Sequence, residues 1–198
     1  VSLKSRLDEL DALLKVSQGI ASNLNLESSS SHLLKALLSY GADAASLVLV
    51  NDGRPGQPIQ FLAYRNGAST GEFNYLDEVL YDELKAESTL IIPSRARIRR
   101  MAIPDEVEVP SALAAISLGT GDEEPAFMWV AYTQPHRFTD GEIRFLNTLA
   151  GQAQLAITNS ILFLKAEAGN KRLESVLTST PEPVIVVGEE GQILIINQ

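Results

Sequence analysis

The segment from Pro125 to Leu164 constrains this chain more than any other. Ala126 to Thr133 reads as a buried strand, Pro135 to Glu142 as a corner, and the residues beyond as a long amphipathic helix. Thr139 stands three residues before Glu142, a spacing that lets each satisfy the other's backbone N–H at a helix start. The apolar positions Ile143, Leu146, Ala150, Ala153, Ile157, Ser160 and Leu164 then advance by alternating threes and fours. No proline interrupts before Pro181, so the helix is expected to reach about Thr178. At 1.5 Å per residue that is on the order of 60 Å, longer than a domain of this size is wide.

The same stepping recurs at the front of the chain. Leu3, Leu7, Leu10, Leu14, Ser17, Ala21 and Leu24 predict a first helix over residues 1–24, suited to packing on its own sheet or on a second copy. Asn25 to Ser31 reads as a polar break, and a second helix runs from about Ser30 to Tyr40 with Leu33, Leu34, Leu37 and Leu38 on one face. Ala44 to Asn51 and Ile59 to Arg65 are strands joined through Asn51-Asp52-Gly53 and two prolines, hence a hairpin with a long loop. Leu47 and Leu49 face one way and Val48 and Val50 the other, so both faces of the sheet need cover. A helix near Tyr75 to Lys85, a short strand Thr89 to Pro93 and a basic then acidic stretch follow. Ser111 to Gly119 pairs with Ala126 to Thr133 as a second hairpin. The sum is an α+β chain: about five antiparallel strands, helices on one face, loops and short helices on the other.

Composition narrows the function. The chain of 198 residues carries a formal charge of -9, which disfavours direct nucleic-acid binding because phosphate contacts need a surplus of Lys and Arg. It has no cysteine, so disulfides, thiolate metal sites, a cysteine nucleophile and thioether attachment of a cofactor are excluded. No apolar run is long enough to span a bilayer, and no membrane contact is expected within these residues. Both traits fit a cytoplasmic protein.

Residues 1 to 164 together resemble a GAF sensor domain. The likeness rests on Glu124-Pro125-Ala126-Phe127-Met128-Trp129-Val130-Ala131-Tyr132, on Pro135 and Phe138-Thr139, and on Leu149-Ala150-Gly151-Gln152-Ala153, with Ser117 and Ala126 departing mildly from the family's pattern. After a helical linker over 165–180, the tail resembles the start of a PAS domain. Thr180-Pro181-Glu182-Pro183, Val184 to Val187, Glu190-Gly191 and Ile193 to Asn197 carry that likeness, and residues 181–198 cover only its first two strands. Such a hairpin is marginal alone. In the family, GAF followed by PAS usually sits upstream of a histidine kinase, nucleotide cyclase or phosphatase output, as in two-component signalling.

The resemblance implies a ligand site on the sheet face under the irregular segment. The residues there are Tyr64, Phe73, Tyr75, Arg95, Arg97, Met101 and Trp129, with Tyr81, Arg99 and Arg100 nearby: aromatic walls and an arginine mouth for an anionic small molecule. The bland alternative is a solvated basic loop paired with Asp105, Glu106 and Glu108. Cysteine-dependent bilin attachment and methionine-sulfoxide reduction do not fit this sequence. Haem would need His32, at a helix start, or His136, in a solvent-facing corner, so no cofactor is expected. Asp77, Glu78, Asp82 and Glu83 read as a solvated helix face, not a metal site. No catalytic set is visible. The expected function is a sensor that forms a homodimer through Leu3, Leu7, Leu10, Leu14, Ile143, Leu146, Ala150, Ala153, Ile157 and Leu164 and relays a signal along its last helix. The alternative is a ligand-free dimerisation spacer, whose fingerprint is a sheet face filled by its own side chains, with Trp129 or Tyr64 as the plug.

Overall fold

The computed structural model describes residues 26–50, 59–64, 73–119, 125–179, 185–187, 191 and 193–196. The expected first helix and its seam residues Leu3, Leu7, Leu10 and Leu14 lie outside that set. Two compact units divide the chain at Thr158 and Asn159.

The first unit is built on a five-stranded antiparallel sheet. Helix α1 (Leu26–Tyr40) leads into β1 (Ala44–Leu49) and β2 (Ile59–Tyr64). Helix α2 (Leu76–Leu84), strand β3 (Thr89–Ile92) and the single turn α3 (Arg95–Ile98) precede β4 (Ala112–Ser117) and β5 (Ala126–Tyr132). Helix α4 (Asp140–Ser179) closes the unit and continues into the next. The strand order is β2-β1-β5-β4-β3, with every pair antiparallel. The last strand of the sheet in sequence is thus its middle strand, and β5 is buried at all seven positions. A strand paired on both edges and covered on both faces has no place for a polar residue, which is why Ala126 to Tyr132 is apolar throughout.

Side-chain alternation divides the interior in two. Phe127, Trp129 and Ala131 of β5 join Ala44 and Val48 of β1, Leu113 and Ala115 of β4, and Leu90 and Ile92 of β3 in one core, roofed by Phe73, Leu76, Leu80, Ile98, Ile103 and Val109. Each Leu or Ile fully buried in this way contributes roughly 1.5–3 kcal/mol. The alternate residues Met128, Val130 and Tyr132 are also buried but belong to the opposite face. Helix α1 lies along β1 and β2 and buries Leu33, Leu34 and Leu37 outside the roofed core. Tyr40 stacks on Phe145 with ring centroids 3.9 Å apart, tying α1 to α4.

Helix α1 begins earlier than the sequence suggested. The serine run taken as a break is helical from Leu26, with Ser29 and Ser30 buried. The hydroxyl of Ser30 donates to the carbonyl of Leu26 at 2.7 Å, so the side chain is satisfied by the preceding turn and the helix is not interrupted.

The start of α4 follows the expected reciprocal cap. Thr139 N donates to Glu142 Oε2 at 2.8 Å, and Glu142 N donates to Thr139 Oγ1 at 3.2 Å. Along its first five turns Leu146, Ala150, Ala153 and Ile157 are buried within the single chain. That stripe, expected to form a seam between two copies, is occupied by the chain's own interior, where a second copy cannot reach it. Leu164, the last member expected of that seam, is 61% exposed.

In the second unit, α4 exposes Leu162, Phe163, Leu164, Leu173 and Val176. Strands β6 (Ile185–Val187) and β7 (Ile193–Ile196) pair antiparallel as a two-stranded ribbon, and Ile185 and Ile193 are exposed.

Candidate functional site

The roofed core lies under the irregular segment where the sequence placed a ligand site, and a buried polar pair stands inside it. Trp129 is fully buried on the middle strand, and its Nε1–H donates to Asp77 Oδ1 across 2.6 Å. Asp77 sits in the first turn of α2 between Tyr75 and the buried Leu76 and Leu80, and only 9% of it is exposed. It was expected on a solvated face with Glu78, Asp82 and Glu83. Helical spacing does place all four near one another, but Asp77 falls on the flank that meets the sheet. Burial pushes its carboxyl up to about 6 from an ordinary 3.8, and the indole hydrogen bond offsets part of that rise.

The floor around Trp129 is made of small residues. In register, Trp129 is opposite Ser46 on β1 and Ala115 on β4, and Ala131 is opposite Ala44. Directly opposed residues project from the same face, so the room for an indole comes from the absence of bulk on both neighbouring strands. Ser46 is fully buried, and its Oγ has no hydrogen-bond partner among the described residues. An orphaned hydroxyl of this kind costs roughly 1–3 kcal/mol.

The remaining expected ligand residues divide between lining and cover. Phe73 is buried in the core, and Met101 packs against it partly exposed. Tyr64 ends β2 as the partner of Ala44. Tyr75 is drawn into the cover: its hydroxyl donates to the carbonyl of Glu108 at 2.8 Å. Arg99 does the same work, with Nη1 on the Pro104 carbonyl at 3.1 Å and Nη2 on the Val107 carbonyl at 2.6 Å. These two side chains pin the 104–108 stretch down over the core. Arg95 Nη2 reaches Ser111 Oγ at 3.3 Å, and Arg97 and Arg100 are exposed. Among the described residues no ion pair joins these arginines to Asp105, Glu106 or Glu108.

Neither histidine lies in the roofed core. His32 is exposed, with Nδ1 2.7 Å from the Ser28 carbonyl. His136 is more enclosed than a solvent-facing corner implies: it stacks on Tyr132 at 3.8 Å, meets Phe138 edge-on, and brings Nε2 to 3.0 Å from Glu142 Oε1. That last approach is close enough for an ion pair, yet it is off the line of a hydrogen bond. Among the described residues no cluster of His, Asp and Glu suited to a metal is present, and no helix is long and apolar enough to cross a membrane.

No family model and no curated protein matches the chain. Solved structures do. The GAF domain of an Acinetobacter phosphoenolpyruvate-protein phosphotransferase superposes with a TM-score of 0.62 at 20% identity, covering 82% of this chain and 97% of that one. The fold is that of a GAF domain. A phycocyanobilin-bound GAF domain from a cyanobacterial phytochrome follows at 0.58 and 15% identity, covering 82% and 98%. A free methionine-R-sulfoxide reductase from Neisseria meningitidis, in complex with its substrate, reaches 0.60 at 13%, covering 82% and 95%. At such identities the shared feature of these GAF-like chains is the fold.

The Asp77–Trp129 pair escaped the sequence reading because the two residues are 52 positions apart and their meeting depends on how α2 roofs the sheet. One signal was available. Asp77 is followed at helical spacing by Leu80 and Leu84, which places it beside the apolar flank.

Proposed function

We propose that this chain is a regulatory module that pairs with a second copy through the distal part of α4 and relays a conformational signal along that helix to a downstream PAS-like and output domain. The observation that carries the reading is the exposed stripe Asn159, Leu162, Ala166, Gly169, Leu173 and Val176, which advances by alternating threes and fours. An apolar repeat of that period buries itself best against another copy of the same helix, and a polar Asn in such a seam fixes register. The stripe begins where the internal one ends, so one helix serves its own core first and a partner afterwards. The parent protein in this reading is a histidine kinase or related two-component protein, and the signal is a small molecule or a change in a neighbouring domain. Light scattering tests the pairing: the intact chain runs as a dimer, and Leu162→Lys with Leu173→Lys runs as a monomer. A double variant that stays dimeric refutes it.

A second reading is favoured by one observation. Trp129 fills the roofed face with the chain's own side chain, the fingerprint of a ligand-free dimerisation spacer. The two readings share the dimer and differ in whether the roofed face ever opens.

A further inference from the structure

The indole of Trp129 occupies the middle of the roofed face in a way that specifies what else would fit there. It is flat and apolar, it presents one N–H, and that N–H ends on a carboxylate that α2 holds in the core. Its room is set by the small residues Ser46 and Ala115 directly opposite it. The Ser46 hydroxyl on the same floor is fully buried and unpartnered among the described residues, a donor and acceptor that the indole leaves unused. The cover over this floor is held by one hydrogen bond from Tyr75 and two from Arg99 to the 104–108 backbone. Folding alone gives no reason to retain a hydroxyl at position 46, since alanine there loses no hydrogen bond.

We infer that Trp129 is a built-in occupant of a ligand site, displaced by a planar heteroaromatic molecule that donates an N–H to Asp77 and presents a second polar group to Ser46. This deepens the regulatory reading and rests on it, because it names the class of molecule that would open the roofed face. Displacing the ring requires no covalent step. The incoming N–H replaces the indole N–H on the same oxygen, and Ser46 gains the partner it lacks. The competition between an internal and an external ring sets a threshold, since the ligand binds only as tightly as its advantage over Trp129 allows.

Trp129 is the chain's sole tryptophan, so the displacement is read without labelling elsewhere. Benzimidazole, which carries both a ring N–H and a ring acceptor, is titrated in the millimolar range into the full chain while the single indole N–H resonance and the tryptophan emission are followed. The expected result is a saturable shift of the resonance and a red shift of the emission as the indole leaves the interior. Ser46→Ala, which leaves the Trp129–Asp77 bond in place, is expected to weaken benzimidazole by about threefold to tenfold, the worth of one hydrogen bond. An indole signal that stays unchanged in the wild-type chain overturns the proposal, as does a Ser46→Ala variant that binds equally well. Pairing of copies is scored separately by light scattering, so failure of the dimer and failure of the site are distinguishable.

Discussion

Tyr40 at the end of α1 and Phe145 in the second turn of α4 stack with centroids 3.9 Å apart and planes 21° from parallel. The two helices are thereby joined on the sheet face opposite the roofed core, and α4 cannot shift along its axis without sliding one ring over the other. Phe145→Ala is expected to cost about 3–5 kcal/mol in denaturant unfolding, the usual loss for a fully buried aromatic ring.

Asp77 makes stability depend on acidity in an unusual direction. Its carboxyl is raised from 3.8 to about 6, so the folded chain holds that proton more tightly than the unfolded one. The contribution is fully present below pH 3.8 and is lost as pH rises through 6. Asp77→Asn, which cannot ionise, should match wild type near pH 4 and exceed it by up to about 3 kcal/mol at pH 7. Melting curves of both chains across that range check this, and a constant gap between them would sink it.

Trp129→Phe keeps an aromatic ring and removes the N–H. It is expected to destabilise the chain by about 1–3 kcal/mol, through Asp77 losing its indole donor, and to do so more at pH 7 than at pH 4 because the bond serves the ionised carboxylate better. Denaturant unfolding at the two pH values reads both effects.

Ser46→Ala is expected to stabilise the chain by about 1–3 kcal/mol in denaturant unfolding, since it removes a buried hydroxyl that has no partner among the described residues. A loss of stability would mean the hydroxyl is engaged.

Thr139→Ala removes one half of the reciprocal cap at the start of α4 and should cost about 1 kcal/mol. Glu142→Gln retains most of it, because the amide oxygen can still accept from Thr139 N. Thermal melts of the two variants separate the hydrogen bond from the charge.

Much of the fold was legible because its signals are local. The continuous apolar runs at Ala44 and Ala126 announced buried strands, and Thr139 with Glu142 announced a helix start. The reading went astray where a local signal was ambiguous. The serines after Asn25 looked like a break, yet Ser30 returns its hydroxyl to Leu26 and stays helical. The seam of α4 was seen, but a three-four repeat reads the same whether it meets its own sheet or another copy. Leu146, Ala150, Ala153 and Ile157 are buried within the single chain, and the exposed stripe from Asn159 onward lies on different residues. On the roofed face, Phe73 and Trp129 are buried in the core, whereas Asp77 was assigned to solvent because its environment comes from a strand 52 residues away. The arginines were expected as a ligand mouth. Arg99 instead spends its guanidinium on two backbone carbonyls, a use that depends on where the 104–108 stretch folds back.

The middle strand of the sheet has a further consequence. β5 carries Trp129 at its centre and ends at Tyr132, and the chain then runs through His136 and Phe138, the three rings in mutual contact, directly into the cap of α4. The buried indole and the helix cap are therefore joined by a short run of covalent chain braced by aromatic packing. In the relay proposed above the strand is the pushrod, and the stiffness of its aromatic collar governs how much of any movement at one end arrives at the other.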